Sequence, residues 1–252
     1  MTPKVSIITV CFNSASTIED TIQSVVSQTY PNLEYIIIDG KSTDNTLDVL
    51  NKYKAGISQV VSEKDEGLYD AINKGIELAT GSILNILNSD DLYQDDHVIT
   101  NMVECIEKDQ LDGCYADLVY VAQNDTSKVV RTWKSGHYKE GMFFKGWMPP
   151  HPTFFVKKEI YNQLGLFDLQ FNSAADYELM LRFIHKNKIA LGYLPRVTVR
   201  MRMGGLSNAS LKNRLKANNE DKKAWKINEI KPKFYTLFFK PLSKIGQFLK
   251  KN

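Results

Sequence analysis

Over its first 108 residues the chain alternates between two hydrophobic periods, and this restricts its possible folds more than any other feature. "VSIITV" (5–10), "LEYIIIDG" (33–40), "QVVSE" (59–63) and "SILNILN" (82–88) are short β-branched runs of the kind that form buried strands. Between them, "SASTIEDTIQSVVSQ", "STDNTLDVLNKYK" and "LYDAINKGIELATG" carry apolar residues at helical spacing. Ser16 with Glu19 three residues on reads as a capping box for the first helix, and Gly81 as the stop of the third. Repeated strand-helix units joined by right-handed crossovers imply an α/β fold: a mostly parallel central sheet with helices on both faces.

Open sheets of this type bind ligands beyond the carboxyl ends of their strands. The segments following the four runs are therefore the candidates: Cys11 to Asn13, Asp39, Glu63 to Asp65, and Asn88 to Asp91. Three of the four supply carboxylates. From about residue 110 to 206 the alternation gives way to strands ("GCYADLVYVA", "VVRTW", "TFFVKK"), aromatic loops and one helix, "AADYELMLRFIHK". With few helices to cover a second sheet, this half is expected to extend the first. The chain thus divides into residues 1–108, residues 109–210 of the same domain, and a basic extension over 211–252.

A net charge of +3 is too small to imply nucleic acid, but its distribution is uneven. After Glu229 there is no acidic side chain, while Lys231, Lys233, Lys240, Lys244, Lys250 and Lys251 accumulate. On a helix, Phe234, Phe238, Leu242, Ile245 and Leu249 share one side and Lys240 and Lys244 lie near the opposite flank, with Pro241 as a kink. Such a segment suits the surface of an anionic membrane; it equally suits packing on its own domain or on a second subunit. Three cysteines without CxxC spacing indicate neither a disulfide framework nor a zinc site. The amino terminus lacks the pattern of a secretory signal, and no run of 18 apolar residues occurs, so the expected location is cytoplasmic, at the inner face of the cell membrane.

Neither GxGxxG nor GxxxxGK[ST] is present, so a phosphate ligand would need another source of positive charge. A divalent cation, Mg²⁺ or Mn²⁺, held by carboxylates and shared with the phosphates is the natural device. "NSDD" (88–91) fits it, one carboxylate aimed at the metal and the other at a ribose hydroxyl. The same residues also fit a turn and helix cap before "QDDHVITNMVECIEK".

"VSIITVCFNSASTIEDTIQSVVSQTYPNLEYIIIDGKSTDNT", "SEKDEGLYDAINKGIELATGSILNILNSDDLY", "PHPTFF", "AADYELMLRF" and "MGGLSN" occur in order over residues 4–208. In these pieces the chain resembles the family 2 glycosyltransferases, whose nucleotide-binding half has the GT-A fold, and within them the bacterial enzymes of O-antigen, capsule and exopolysaccharide assembly. The resemblance implies an inverting transfer from a nucleotide sugar, a UDP-hexose or UDP-N-acetylhexosamine, to a lipid-linked saccharide. It further implies base contacts for Thr9 and Asp39, with Asp65 lining the same pocket, a ribose and diphosphate role for Asp90, and metal binding by Asp91. Many relatives have Asp where this chain has Asn88, an amide that coordinates through oxygen without charge.

Asp176 matches the general base of inverting members and reads equally as a helix-start residue. His151 matches an acceptor-side histidine, or is a buried histidine satisfying its loop. Trp147 offers an apolar face for a sugar ring. Arg202 and Ser207 belong to "RMRMGGLSN", which suits a glycine-hinged loop over a diphosphate or a plain exit turn. The rival functions are a sugar-phosphate nucleotidyltransferase, whose glycine-rich basic motif is missing after the first strand, and a non-catalytic nucleotide-sugar-binding subunit of the same fold. An oligomer is compatible with all three.

Overall fold

The computed structural model describes residues 2–204 and 211–236, with the backbone alone over 211–218. The four expected strands are present as β1 (Val5–Cys11), β2 (Leu33–Asp39), β3 (Gln59–Ser62) and β4 (Ile83–Ile86). They pair in parallel, β1 lying between β2 and β4, with β3 outside β2. The intervening helices are α1 (Ile18–Val26), α2 (Thr46–Lys52) and α3 (Leu68–Leu78).

The two-residue period of the strands explains how both faces are covered. Val5, Ile7 and Cys11 of β1 and Tyr35 and Ile37 of β2 enter one core, against Ile18, Ile22 and Val25 of α1 and Val49 and Leu50 of α2. Ile8, Val10, Ile36 and Ile38 enter the other, against Ile72 and Ile76 of α3. Gly75 lets α3 close on β1, since a Cβ there would stand 2.4 Å from Ile8 Cγ2.

Two details depart from the sequence reading. The capping box does not form: α1 begins at Ile18, Thr17 makes no side-chain cap bond, and Glu19 instead accepts a hydrogen bond of 2.9 Å from the Tyr53 phenol. The turn before α1 is closed by the backbone, with the Thr17 and Ile18 amides donating to the Ser14 carbonyl. Helix α3 ends at Leu78, not at Gly81. Gly81 serves a close approach, for a Cβ there would meet Ser6 N at 2.7 Å and Lys4 O at 2.8 Å.

The second half continues the same sheet. It contributes β5 (Asp91–Tyr93), α4 (Val98–Lys108), β6 (Gly113–Ala122), β7 (Asp125–Trp133), β8 (Phe155–Lys157), α5 (Lys158–Leu164), α6 (Ala175–Met180) and β9 (Leu191–Arg202). The strand order is β3-β2-β1-β4-β8-β6-β9-β5, and β7 joins β6. In this half β6–β9 is parallel and the other pairings are antiparallel, so the sheet is mixed. Leu181–Lys186 prolong α6 as a π-helical turn.

The extension begins with α7 (Leu211–Ile227). Its end is bound to α6: Trp225 is fully buried and donates to the Tyr177 hydroxyl at 3.0 Å, and Asn228 donates to Glu178 at 3.0 Å. Beyond it, Phe234 is 91% exposed. The expected amphipathic helix over 234–249 lies, after Thr236, outside the described residues.

Candidate active site

β1, β2 and β4 are parallel neighbours, so the loops after them stand side by side. Short polar side chains lace them together. Asn13, held at φ 49°, accepts from the Thr43 amide at 2.8 Å, and its own amide donates to Ser42 Oγ at 2.8 Å. The Ser14 amide donates to Thr46 Oγ1 at 2.8 Å, and the Ser14 hydroxyl pairs with that of Ser89 at 2.9 Å. Each such bond is worth about 1 kcal/mol. Together they fix the rim on which Phe12 is left 61% exposed, an aromatic face at the end of β1.

Asp39 is fully buried below this rim, where its carboxylate accepts from the Ser42 amide and hydroxyl and from Ser62 Oγ at 2.6 Å. Burial, then the Asp39 charge, pushes the adjacent Cys11 thiol far up, so it stays protonated. Asp65 lies over the end of β2, because Gly40 has no Cβ: one would stand 2.4 Å from Asp65 Oδ2. The other Asp65 oxygen accepts from the Gly67 amide at 2.9 Å. Thr9 is enclosed in the sheet and its hydroxyl accepts from the Tyr35 phenol at 3.1 Å. The structure therefore sets Thr9 beneath the rim and not on it.

Asn88, Asp90 and Asp91 follow β4. Asp91 opens β5, opposite Met201 of β9, and is fully buried. Asn88 Nδ2 donates to its Oδ2 at 3.4 Å, whereas Oδ1 has no hydrogen-bond partner among the described residues. Burial, and then the Asp90 charge, raises the Asp91 carboxyl well above the usual range. Burial also raises Asp90, against the Arg202 charge. Arg202, drawn from sequence as part of a mobile loop, ends strand β9 instead. It is buried, donates to the Asp90 carbonyl at 2.9 Å, and pairs with Asp20 of α1, a partner that no motif indicated. Its guanidinium thus braces the acidic segment from behind. Ser207 lies outside the described residues.

Among the described residues no group of three or more His, Cys, Asp or Glu side chains is disposed to hold a metal unaided. What exists is one buried carboxylate with an unpartnered oxygen, an amide and a second carboxylate next to it. That set fits a hard divalent cation which takes its remaining ligands from substrate phosphate and water.

A second cluster surrounds the turn before β8. The Asn85 side chain, at the middle of β4, donates to the Pro152 and Phe154 carbonyls at 3.1 Å each, pinning the turn that carries His151. The His151 ring meets Phe167 edge-on at 5.6 Å, and Phe167 stacks on Tyr69 at 5.6 Å. Burial lowers the His151 pKa, opposed by the charge of Asp176, so its imidazole is mainly neutral at pH 7. Asp176 stands in the first turn of α6, partly exposed, with Oδ1 accepting from the Tyr177 amide at 2.8 Å. Its charge also raises the Tyr69 phenol, after burial, which makes Tyr69 a neighbour of Asp176 that sequence reasoning passed over. Trp147 is half-buried in an aromatic cluster with Tyr115, Tyr138 and Phe143, and its indole donates to the Ser135 carbonyl at 2.8 Å.

A mixed sheet with acidic loops at the carboxyl ends of its parallel strands is an arrangement that binds ligands beyond those strand ends. The family model described as glycosyl transferase family 2 matches residues 6–165, and the chain belongs to that family. The PGL/p-HBAD biosynthesis glycosyltransferase of Mycobacterium tuberculosis is 28% identical over 211 residues, 82% of this chain and 80% of that protein. The putative teichuronic acid biosynthesis glycosyltransferase TuaG of Bacillus subtilis is 41% identical over 97 residues, 37% of this chain and 38% of that one. The crystal structure of S. aureus TarS 1-349 with UDP-GlcNAc is similar in fold, with a TM-score of 0.69 at 17% identity, over 89% of this chain and 65% of that one. The mannosyltransferase PcManGT from Pyrobaculum calidifontis, in complex with GDP-Man and Mn²⁺, gives 0.67 at 20% identity, over 99% of this chain and 70% of that one.

The raised Asp91 carboxyl has a measurable consequence. A carboxyl whose folded pKa exceeds its ordinary 3.8 stabilises the fold below that pH and loses the contribution as pH rises through the raised value. Asp91→Asn is therefore expected to raise the Tm of the ligand-free protein at pH 7, with the gain shrinking as pH falls towards 4. A Tm below wild type at pH 7 would show that the carboxylate is paired after all.

Proposed function

We propose that the protein is an inverting, metal-assisted glycosyltransferase that moves a hexose or N-acetylhexosamine from a nucleotide sugar to a lipid-linked saccharide of a bacterial surface polysaccharide. The observation that carries this reading is the unpartnered, fully buried Asp91 oxygen beside Asn88 and Asp90. UDP is the favoured carrier because TarS is described with UDP-GlcNAc, and Mn²⁺ accompanies GDP-Man in PcManGT. A cation held by Asp91 and Asn88 would supply Lewis-acid stabilisation to the departing diphosphate. Asp90 takes a ribose hydroxyl, Asp65 and Asp39 shape the base pocket, and the exposed Phe12 ring gives the base a surface to stack on.

Asp176 accepts the proton of the acceptor hydroxyl while the acceptor oxygen bonds to the anomeric carbon, opposite the breaking bond to the diphosphate, which leaves with the bonding electron pair. Attack from the opposite face inverts the configuration. His151, neutral beside it, hydrogen-bonds the acceptor, and Trp147 belongs to the aromatic wall on that side. Asp176→Asn is expected to bind donor nucleotide as wild type does and to lose at least about 100-fold in transfer, the usual worth of a general base. Phe12→Ala should do the reverse, weakening nucleotide binding with little loss of transfer at saturating donor. Wild-type turnover in Asp176→Asn would end its assignment, and a wild-type chain that binds donor yet transfers to no acceptor would favour a binding subunit.

The acceptor lipid places the enzyme at the cytoplasmic leaflet. No helix among the described residues is long and apolar enough to cross a membrane. Phe234, 91% exposed, stands beside exposed Lys231 and Lys233 in the basic extension after α7, a pairing suited to an anionic lipid surface. Flotation with vesicles containing phosphatidylglycerol is expected to recover the full chain and not Phe234→Asp. Equal recovery of both removes Phe234 from the attachment.

A further inference from the structure

Two of the three cysteines meet at the end of the sheet remote from this site. Cys105, on α4, and Cys114, the second residue of β6, bring their sulfurs to 2.6 Å, within about 0.6 Å of a covalent S–S bond. Room for the pair is left by Gly192 of β9, where a Cβ would stand 2.8 Å from Cys105 Sγ and 3.6 Å from Cys114 Sγ. Cys114 is fully buried, whereas Cys105 is partly exposed. Register places Cys114 opposite Phe155 and Gly192, at the amino-terminal start of β6. The acidic loops follow the carboxyl ends of β2 and β4.

We propose that Cys105 and Cys114 are a dithiol site that a low-molecular-weight disulfide oxidises to an intramolecular disulfide, tying α4 to β6. The Cys105 thiolate attacks one sulfur of the reagent, forms a mixed disulfide and releases one thiolate. Cys114 then attacks the Cys105 sulfur and releases the second. The protons lost by the two cysteines are taken up by the two departing thiolates, so two protein thiols and one disulfide become one protein disulfide and two small thiols. The order of attack follows from exposure, and also from a hydrogen bond from Cys114 that lowers the Cys105 pKa.

Native full-length protein is incubated with oxidised glutathione, then unfolded, alkylated and digested with trypsin. Cleavage after Lys108 separates the two cysteines, so their bond appears as two joined peptides. The expected product has lost two hydrogens, carries one alkylated cysteine, Cys11, and reverts with dithiothreitol. Cys114→Ser is expected to stop at one glutathione on Cys105, because the resolving thiol is gone. Three alkylated cysteines in wild type, or a lasting glutathione adduct on wild-type Cys105, would overturn the proposal.

Discussion

One unfavourable placement underlies the candidate site: the Asp91 carboxylate is taken out of water with one oxygen unpartnered. Burying an ion costs several kcal/mol, and the neighbouring Asp90 adds to it. The Arg202 backbone amide and then the Arg202 charge recover part of this, while its guanidinium bonds the Asp90 carbonyl and Asp20. The remaining deficit is what a divalent cation would offset. The surrounding structure holds the carboxylate there despite the cost, because a three-residue strand is fixed on both sides. β9 pairs with it residue by residue, the Tyr93 amide donates to Ser24 of α1, and the Tyr93 phenol donates to Asn85 of β4.

Asn85 links the two halves of the site. Its amide is buried, accepts from Tyr93 and donates to the turn carrying His151. Through this single side chain the acidic segment, the central strand and the turn carrying His151 share one network, so displacement of any of them leaves a buried polar group unsatisfied. The sheet provides the frame: β1, β2 and β4 are buried on both faces, while β3 is an exposed edge, and their loops form the free surface.

The first half of the fold was legible because its period changes cleanly between strands and helices, and the acidic segments at strand ends followed directly from that topology. The sequence pattern over 110–206 shows one helix and misses α5, whose seven residues are too short to show a clear period, while β5 and β9 were missed because long-range pairing sets them. β5 is three residues long and exists through its pairing with β9. In β9, Pro195 and Arg196 interrupt the apolar pattern, and the structure absorbs them in an irregularity where Leu194 pairs with Ala116 and Val197 with Asp117. Arg202 was read as part of a flexible loop for the same reason, since nothing in "RMRMGG" shows that a strand ends there. The burial of Thr9 and its bond to the Tyr35 phenol likewise depend on strand pairing, which one sequence does not fix.

The account rests on a cation shared between Asp91 and a diphosphate, and calorimetric titration with UDP, GDP and dTDP, each with and without Mn²⁺, measures this directly. For the preferred nucleotide the account predicts that Mn²⁺ tightens binding to the wild-type chain and that Asp91→Ala abolishes this gain while keeping the metal-free affinity. An equal gain in Asp91→Ala would contradict it.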